Sequence, residues 1–280
     1  MNVQSAIQEA NKRLKEKKIK SFQLDSEILM SKILRKDRKF ILLNPDTEVT
    51  RENLNYFWNL IQQRSRGKPV AYLLGKKYFW KHEFIVNDDV LIPRPDTELI
   101  VEQALNLTKY RSNISILDIG VGSGCILLSI LKEKKDFYGT GLDINKKSLK
   151  ICKINAYNLG ITRRLKFFKS DIDNFSYGKY DLIISNPPYI KKLDLKYLER
   201  DIINFEPKLA LDGGLEGISE ISKVINKSSE LIKKNGKLIL EIAFDQKNKV
   251  SKLLKNRGFY INKTIKDYAN NDRCIISTKI

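Results

Sequence analysis

The chain has 280 residues, 42% of them hydrophobic, and carries a net charge of +19 from 52 Lys and Arg against 33 Asp and Glu. That length and apolar content suffice for one large α/β domain and a smaller partner. Cys125, Cys152 and Cys274 show no ligand-like spacing, which argues against a zinc site or a disulfide framework and fits a reducing compartment. No run reaches the ~18 apolar residues of a spanning helix, so no membrane is expected and the expected location is the cytoplasm.

The first 75 residues carry helical periodicity without strand signals. SAIQEANKRLKE, LDSEILMSKILR and ENLNYFWNLIQQR each space apolar residues three or four apart, and Thr50 is placed to cap the third. Residues 1–75 are therefore predicted to form a small helical bundle, with Tyr56, Phe57 and Trp58 read as its core rather than a docking face. In GKKYFWKHEFIVNDDVLI the pattern turns to alternation, which predicts a β-hairpin linker over residues 76–92. The lone histidine, His82, falls in this linker and reads as packing rather than as a general base. PRPDTELIVEQAL follows, with Asp96 or Thr97 expected to cap a helix.

From Asn113 onward short apolar runs alternate with helical segments. The runs are ISILDIG, DFYGTGLDI, RLKFFKSD, YDLIISN, GKLILEIAF, GFYINKTI and RCIISTKI. Such alternation predicts βαβ units and a seven-stranded, mainly parallel, Rossmann-like sheet over residues 93–280. KDYANND joins the last two runs without a helix, so they are expected to pair antiparallel.

LDIGVGSGC closes the first run and opens a helix, with glycines at 120, 122 and 124. Glycines let a backbone approach a ligand, and the helix N-terminus favours negative charge. Asp143 ends the next run, 23 residues after Gly120, where an acid can bond both hydroxyls of a ribose. Gly120, Val121, Gly122, Ser123, Gly124 and Asp143 therefore read as a nucleoside site, the plain alternative being a structural turn and an exposed capping acid. Asp171, after the third run, can reach an adenine amine with Ile172 on its ring, although aspartate there is often only a turn residue.

The fourth run ends in NPPY, residues 186–189. The Asn186 side-chain oxygen and the Pro187 carbonyl can together accept both hydrogens of one planar –NH₂ group. Holding both hydrogens weakens conjugation and frees the nitrogen lone pair for an electrophile. Pro188 stiffens the turn and Tyr189 can stack on the flat group. The rate gain would come from positioning and from hydrogen bonds that strengthen as charge develops, with no metal required. The matching electrophile is a sulfonium methyl.

These residues resemble the S-adenosylmethionine-dependent amino-methyltransferases, in which [N/D/S]PP[Y/F/W] marks methylation of planar nitrogen. VLIPRPDTELIVEQAL, LDIGVGSGCILLSI, SNPPYI, EPKLALDGGLEGI and LEIAFDQ narrow the likeness, over nearly the whole chain, to the peptide chain release factor glutamine methyltransferases. The resemblance implies methyl transfer to the side-chain amide nitrogen of the glutamine in the release factors' GGQ motif. It also implies that residues 1–75 dock the substrate and that residues 93–280 form the catalytic domain. By the same likeness Gly120–Gly124 hold the methionine and ribose of S-adenosylmethionine, Asp143 the ribose, and Asp171 and Ile172 the adenine. Asn186, Pro187, Pro188 and Tyr189 bind the glutamine, with Asn186 also bordering the cofactor. Arg94, Asp96, Thr97 and Glu98 would border the site, the alternative being a helix cap and surface ion pairs. The chain departs from the family at Ile172, at Ala243 after LEI and at Ala269-Asn270, where relatives can carry an aromatic or a glycine.

Two rival readings stand beside this one. A nucleic-acid methyltransferase acting on an exocyclic base amine is compatible with NPPY and the charge, but base chemistry in a duplex needs flipping and usually a recognition domain. A binding module that merely retains the fold would not need Asn186. The lysines are spread along the chain, so the charge allows work near ribosomal RNA without demanding it. Asp212-Gly213-Gly214, in the insert 190–217, is expected to shape the edge of the pocket. A monomer is expected.

Overall fold

The computed structural model describes every residue from Met1 to Ile280. Its contacts divide the chain into two compact units, Met1–Lys76 with Glu199–Phe205, and Lys77–Leu198 with Glu206–Ile280. The sequence places breaks at 75 and 92. The contacts instead count the hairpin within the second unit and assign one short later segment to the first.

The first unit contains α1 (Val3–Glu16), α2 (Phe22–Leu34), α3 (Arg38–Leu43), α4 (Arg51–Ser65), α5 (Val70–Leu74) and the helical segment Arg200–Phe205. Thr50 caps α4 as expected, its hydroxyl accepting the Asn53 N–H at 3.3 Å. Periodicity gave no warning of α3 and α5, which are six and five residues long. Asp37 defines the start of α3 by accepting the Phe40 N–H at 2.7 Å. Ala6, Ala10 and Leu14 of α1 meet Leu29 and Met30 of α2 and Phe57 and Ile61 of α4 in one buried cluster. Of the three consecutive aromatics, Phe57 is core and Trp58 is partly buried beneath the Arg13 guanidinium at 4.4 Å. Tyr56 is not core: it is exposed, because neighbours on a helix point about 100° apart.

The second unit opens with β1 (Lys76–Phe79) and β2 (His82–Ile85), the predicted hairpin, followed by α6 (Glu98–Leu107). The sheet elements are β3 (Ser115–Ile119), α7 (Cys125–Glu133), β4 (Tyr138–Asp143), α8 (Lys146–Asn158), β5 (Leu165–Lys169) and β6 (Tyr180–Ser185). After α9 (Arg200–Phe205, counted with the first unit) come α10 (Ser219–Leu231), β7 (Ile232–Glu241), α11 (Lys247–Asn256), β8 (Phe259–Lys266) and β9 (Asp272–Lys279). The seven strands lie in the order β5-β4-β3-β6-β7-β9-β8. All neighbours pair in parallel except β9, which is antiparallel to both β7 and β8. This is the predicted Rossmann-like sheet with its antiparallel end.

Both faces of the sheet are covered, which is why its strands read as continuous apolar runs. Ile116, Leu182, Ile184, Ile239 and Ile276 project into one cluster with Ile100, Leu127 and Cys152. Their alternates Leu117, Ile183, Leu238, Leu240 and Ile275 enter the other with Ile221, Ile225, Val250 and Leu254. Asn270 stands at φ +66 in the loop before β9. Asparagine tolerates this left-handed conformation, so the missing glycine there costs little.

One buried charge anchors the first unit. Arg64 donates to Asp25 at 2.6 Å and to Asp201 at 2.7 Å, and also to the Lys68 carbonyl at 3.2 Å. Asp25 is buried with it. Removing one partner of such a pair leaves an uncompensated charge in a low-dielectric interior. Arg64→Ala is expected to destabilise this unit by about 3–5 kcal/mol. Urea unfolding followed by Trp58 fluorescence in a Trp80→Phe background checks it.

Candidate functional site

A cleft of about 220 Å³ opens above the carboxyl ends of β3, β4, β5 and β6. Parallel open sheets bind ligands where the strand order reverses, and here that point lies between β3 and β6. Ile119 is in register with Ser185, so the next residues, Gly120 and Asn186, leave adjacent strands at the same level. Asp143 likewise pairs with Lys169, which brings Asp171 to the same rim.

The turn after β3 is pinned by the Gly120 and Val121 N–H groups, each donating to the Leu142 carbonyl at 2.9 Å. Gly120, Gly122 and Gly124 all have positive φ, at +78, +53 and +85. Their surroundings differ. A Cβ on Gly120 would meet nothing within 4 Å, and one on Gly122 only the Gly120 carbonyl at 3.9 Å. Both therefore border free space. A Cβ on Gly124 would stand 2.6 Å from Cys152 Sγ and 2.7 Å from Leu128, so Gly124 serves the packing of α7. It does not line the cleft, whereas Gly120, Val121, Gly122 and Ser123 do.

Asp143 Oδ2 accepts the Gly122 N–H at 2.9 Å and its Oδ1 accepts the Asn145 N–H at 2.8 Å. Each oxygen keeps a second lone pair for a ligand hydroxyl. Burial raises the Asp143 pKa, while these two N–H bonds favour the charge. Asp171 Oδ1 accepts the Asp173 N–H at 2.9 Å in a tight turn, and Asp171 and Ile172 both face the cleft. Open glycines, an acid able to take two hydroxyls and an apolar wall fit the parts of a nucleoside.

Asn186, Pro187 and Pro188 line the same cleft. Asn186 Nδ2 donates to Thr97 Oγ1 at 3.1 Å, and no protein donor uses its Oδ1. Tyr189 does not line the cleft. Its hydroxyl donates to Glu241 Oε1 at 3.1 Å, and burial pushes its pKa up. Gln246 Nε2 holds the Tyr189 carbonyl at 3.0 Å and the Gly217 carbonyl at 2.9 Å. The Asp212-Gly213-Gly214 turn packs directly on this loop, for a Cβ on Gly213 would come within 2.8 Å of Tyr189 Cα and 2.9 Å of the Pro188 carbonyl.

The Pro-Arg-Pro segment splits in its roles. Arg94 and Thr97 line the cleft. Arg94 is ion-paired with buried Glu206, whose Oε2 also accepts the Ile92 N–H at 3.2 Å. Neither Asp96 nor Thr97 caps α6, because a 3₁₀ turn over Pro95–Thr97 leads into it and the Thr97 hydroxyl is engaged by Asn186 instead. Asp96 is 3.6 Å from Arg273, and Glu98 accepts the Trp80 N–H at 2.7 Å. His82 lies away from the cleft, with Nε2 buried and its pKa lowered by burial.

Two buried acids escaped the sequence reading as site components. Glu206 and Glu241 are named above; in sequence, a glutamate after a turn or at a strand end carries no distinguishing pattern. Asp118, in β3, is enclosed with no hydrogen bond of standard geometry to either oxygen. Burial chiefly, with the charge of Asp143, pushes its pKa up to about 8.

Residues 5–75 match the family model of the PrmC N-terminal domain, and residues 96–216 that of the methyltransferase small domain. The release factor glutamine methyltransferase of Clostridium acetobutylicum is 34% identical over 282 residues, covering 100% of this chain and 99% of its own length. Its counterpart from Buchnera aphidicola subsp. Acyrthosiphon pisum is 35% identical over 280 residues, with coverages of 100% and 99%. That of Shewanella oneidensis is 36% identical over 255 residues, with coverages of 91% and 88%. Among solved structures, a ribosomal protein L11 methylase from Lactobacillus delbrueckii subsp. bulgaricus superposes with a TM-score of 0.51 at 17% identity, over 73% of this chain and 89% of that one. A methyltransferase from Pyrococcus furiosus gives 0.51 at 17%, over 70% and 88%. The two superpositions show a shared fold.

Gly122 borders the cleft and Gly124 packs in the core, so the two offer a contrast. Gly122→Ala is expected to cost only the left-handed strain of about 1–2 kcal/mol while its methyl blocks the cleft and abolishes S-adenosylmethionine binding. Gly124→Ala adds a steric clash inside the core and should lower the melting temperature further. Melting curves and calorimetric titration of both variants check the contrast.

Proposed function

The chain belongs to the release factor glutamine methyltransferase family, and on that premise we propose that it transfers a methyl group from S-adenosylmethionine to the side-chain amide nitrogen of the glutamine in the GGQ motif of peptide chain release factors. The observation that carries the reading is the placement of Asn186 beside the glycine turn, its Oδ1 free of protein donors. S-adenosylmethionine, bound along Gly120–Ser123 with its ribose on Asp143 and its adenine by Asp171 and Ile172, supplies an electrophilic sulfonium methyl.

The chain's own residues do the remaining work. Asn186 Oδ1 and the Pro187 carbonyl accept the two amide hydrogens of the substrate, which turns the nitrogen lone pair out of conjugation. Both acceptors stabilise the positive charge that grows on nitrogen as the carbon–nitrogen bond forms. Two prolines and the Gln246 bond to the Tyr189 carbonyl keep the loop rigid, so little reorganisation accompanies the reaction. Tyr189, held by Glu241, lies outside the cleft and stiffens the loop from behind rather than stacking on the substrate group.

Residues 1–75 are assigned to docking the release factor, in keeping with their match to a domain that accompanies this family. The +19 charge supports a place of work near ribosomal RNA, and the enzyme is read as a monomer. No helix is long and apolar enough to cross a membrane, and all three cysteines are free thiols, which supports a cytoplasmic location.

Asn186→Ala is expected to lower the methylation rate by about 10²-fold or more while S-adenosylmethionine affinity stays near wild type. Labelled methyl should appear on the GGQ glutamine of a folded release factor. Label on tRNA, rRNA or DNA instead would transfer the assignment to a base amine.

A further inference from the structure

The hydrogen bonds behind Asn186 have a direction. Asn186 Nδ2 donates to Thr97 Oγ1 at 3.1 Å, so the Thr97 hydroxyl must send its own proton elsewhere. The group it is coupled to is the Glu241 carboxylate, buried at the end of β7. After burial itself, the Thr97 hydroxyl is the largest influence on Glu241 and favours its ionised form. Tyr189 already occupies Oε1 at 3.1 Å, while Oε2 is enclosed without a bond of standard geometry. A carboxylate only accepts, a hydroxyl gives one proton and accepts another, and a carboxamide has one end of each kind.

We propose that Glu241 is a positioning residue that decides which way round the Asn186 amide sits. The ionised carboxylate takes the Thr97 proton, Thr97 oxygen then takes Asn186 Nδ2, and Asn186 Oδ1 is left facing the cleft as the acceptor for a substrate N–H. The same carboxylate fixes the Tyr189 hydroxyl, so one buried charge orders both ends of the NPPY loop. The catalytic consequence rests on the methyl-transfer reading above; the orientation of the amide does not.

The groups around Glu241 set the expected pH dependence. Burial raises its pKa to about 7; Thr97, Tyr189 and Arg273 of β9 pull it down, and Asp96 pushes it up. The nearby thiols of Cys125 and Cys274 are held protonated by burial. Protonated Glu241 can itself donate to Thr97, whose proton then turns toward Asn186 and draws Oδ1 away from the cleft. Competence is therefore gained as pH rises through about 7.

Two measurements test this. In ¹⁵N-asparagine-labelled protein without ligand, the Asn186 side-chain NH₂ pair, assigned by its loss in Asn186→Ala, should titrate near pH 7 in wild type and become pH-invariant in Glu241→Gln and in Thr97→Val. On a folded release factor, both variants should lose about 10²-fold in kcat with KM and S-adenosylmethionine affinity little changed, and Glu241→Gln should lose the acid limb of the profile. An Asn186 pair that is pH-invariant in wild type, or one that still titrates in Thr97→Val, overturns the proposal. So does a Glu241→Gln enzyme with wild-type kcat and an intact acid limb. A titrating amide together with no transfer to the release factor upholds the positioning role and overturns the substrate reading alone.

Discussion

The in-register parallel pairing of β3 with β6 is the constraint on which the site depends. Ile119 faces Ser185 across it, and Ser185 Oγ donates to the Ile119 carbonyl at 2.7 Å, tying the two strand ends together at their last residue. That bond levels the exits of the two strands, so the glycine turn and the asparagine loop begin side by side. A slip of one residue would turn each strand's side chains to the opposite layer, sending Ile183 and Ile184 into the wrong clusters. The hydrophobic covering on both faces thus enforces the alignment of groups that contribute nothing to the core themselves.

Around that junction the protein keeps its carboxylates unusually dry. Asp118 sits within β3, Asp143 ends β4 and Glu241 ends β7, and desolvation is the leading influence on all three. Their bonding differs in a way that separates their states. Asp143 has two N–H donors and supports a charge, whereas Asp118 has none of standard geometry, and the Asp143 charge further discourages its ionisation. Burial thus disfavours the ionised form of Asp118 beside the glycine turn. Glu241 lies between these cases, with hydroxyl donors but no N–H.

The sheet was legible because its signal is dense: seven apolar runs, the central ones buried on both faces, most of them separated by helices. That the glycine turn, Asp143 and Asn186-Pro187-Pro188 would meet at one cleft was legible because chemistry restricts which residues can stand there, whereas Tyr189 was expected at the cleft and does not line it. What escaped has a physical cause in each case. Helices α3 and α5 are too short to display a period. Gly124 shares the spacing of its neighbours, and only packing against Cys152 distinguishes it. Thr97 looked like a helix cap because local sequence cannot show an asparagine 89 residues away competing for its hydroxyl. Glu206 and Glu241 acquire their meaning only from burial, which a charged letter in a sequence argues against.

An acceptor pair made from an amide oxygen and a proline carbonyl imposes planarity and two hydrogens, and little else. A glutamine side chain and the amine of a purine satisfy it equally, since each offers a flat –NH₂ with a delocalised lone pair. On the proposed mechanism the loop would supply rate, through orientation and charge stabilisation, and would be nearly silent on identity. Selection among planar nitrogens must reside in what surrounds the group, where shape and contacts over a larger surface can differ by several kcal/mol between partners. The proposed mechanism accordingly assigns catalysis and recognition to different parts of the chain, so that a change in one need not disturb the other.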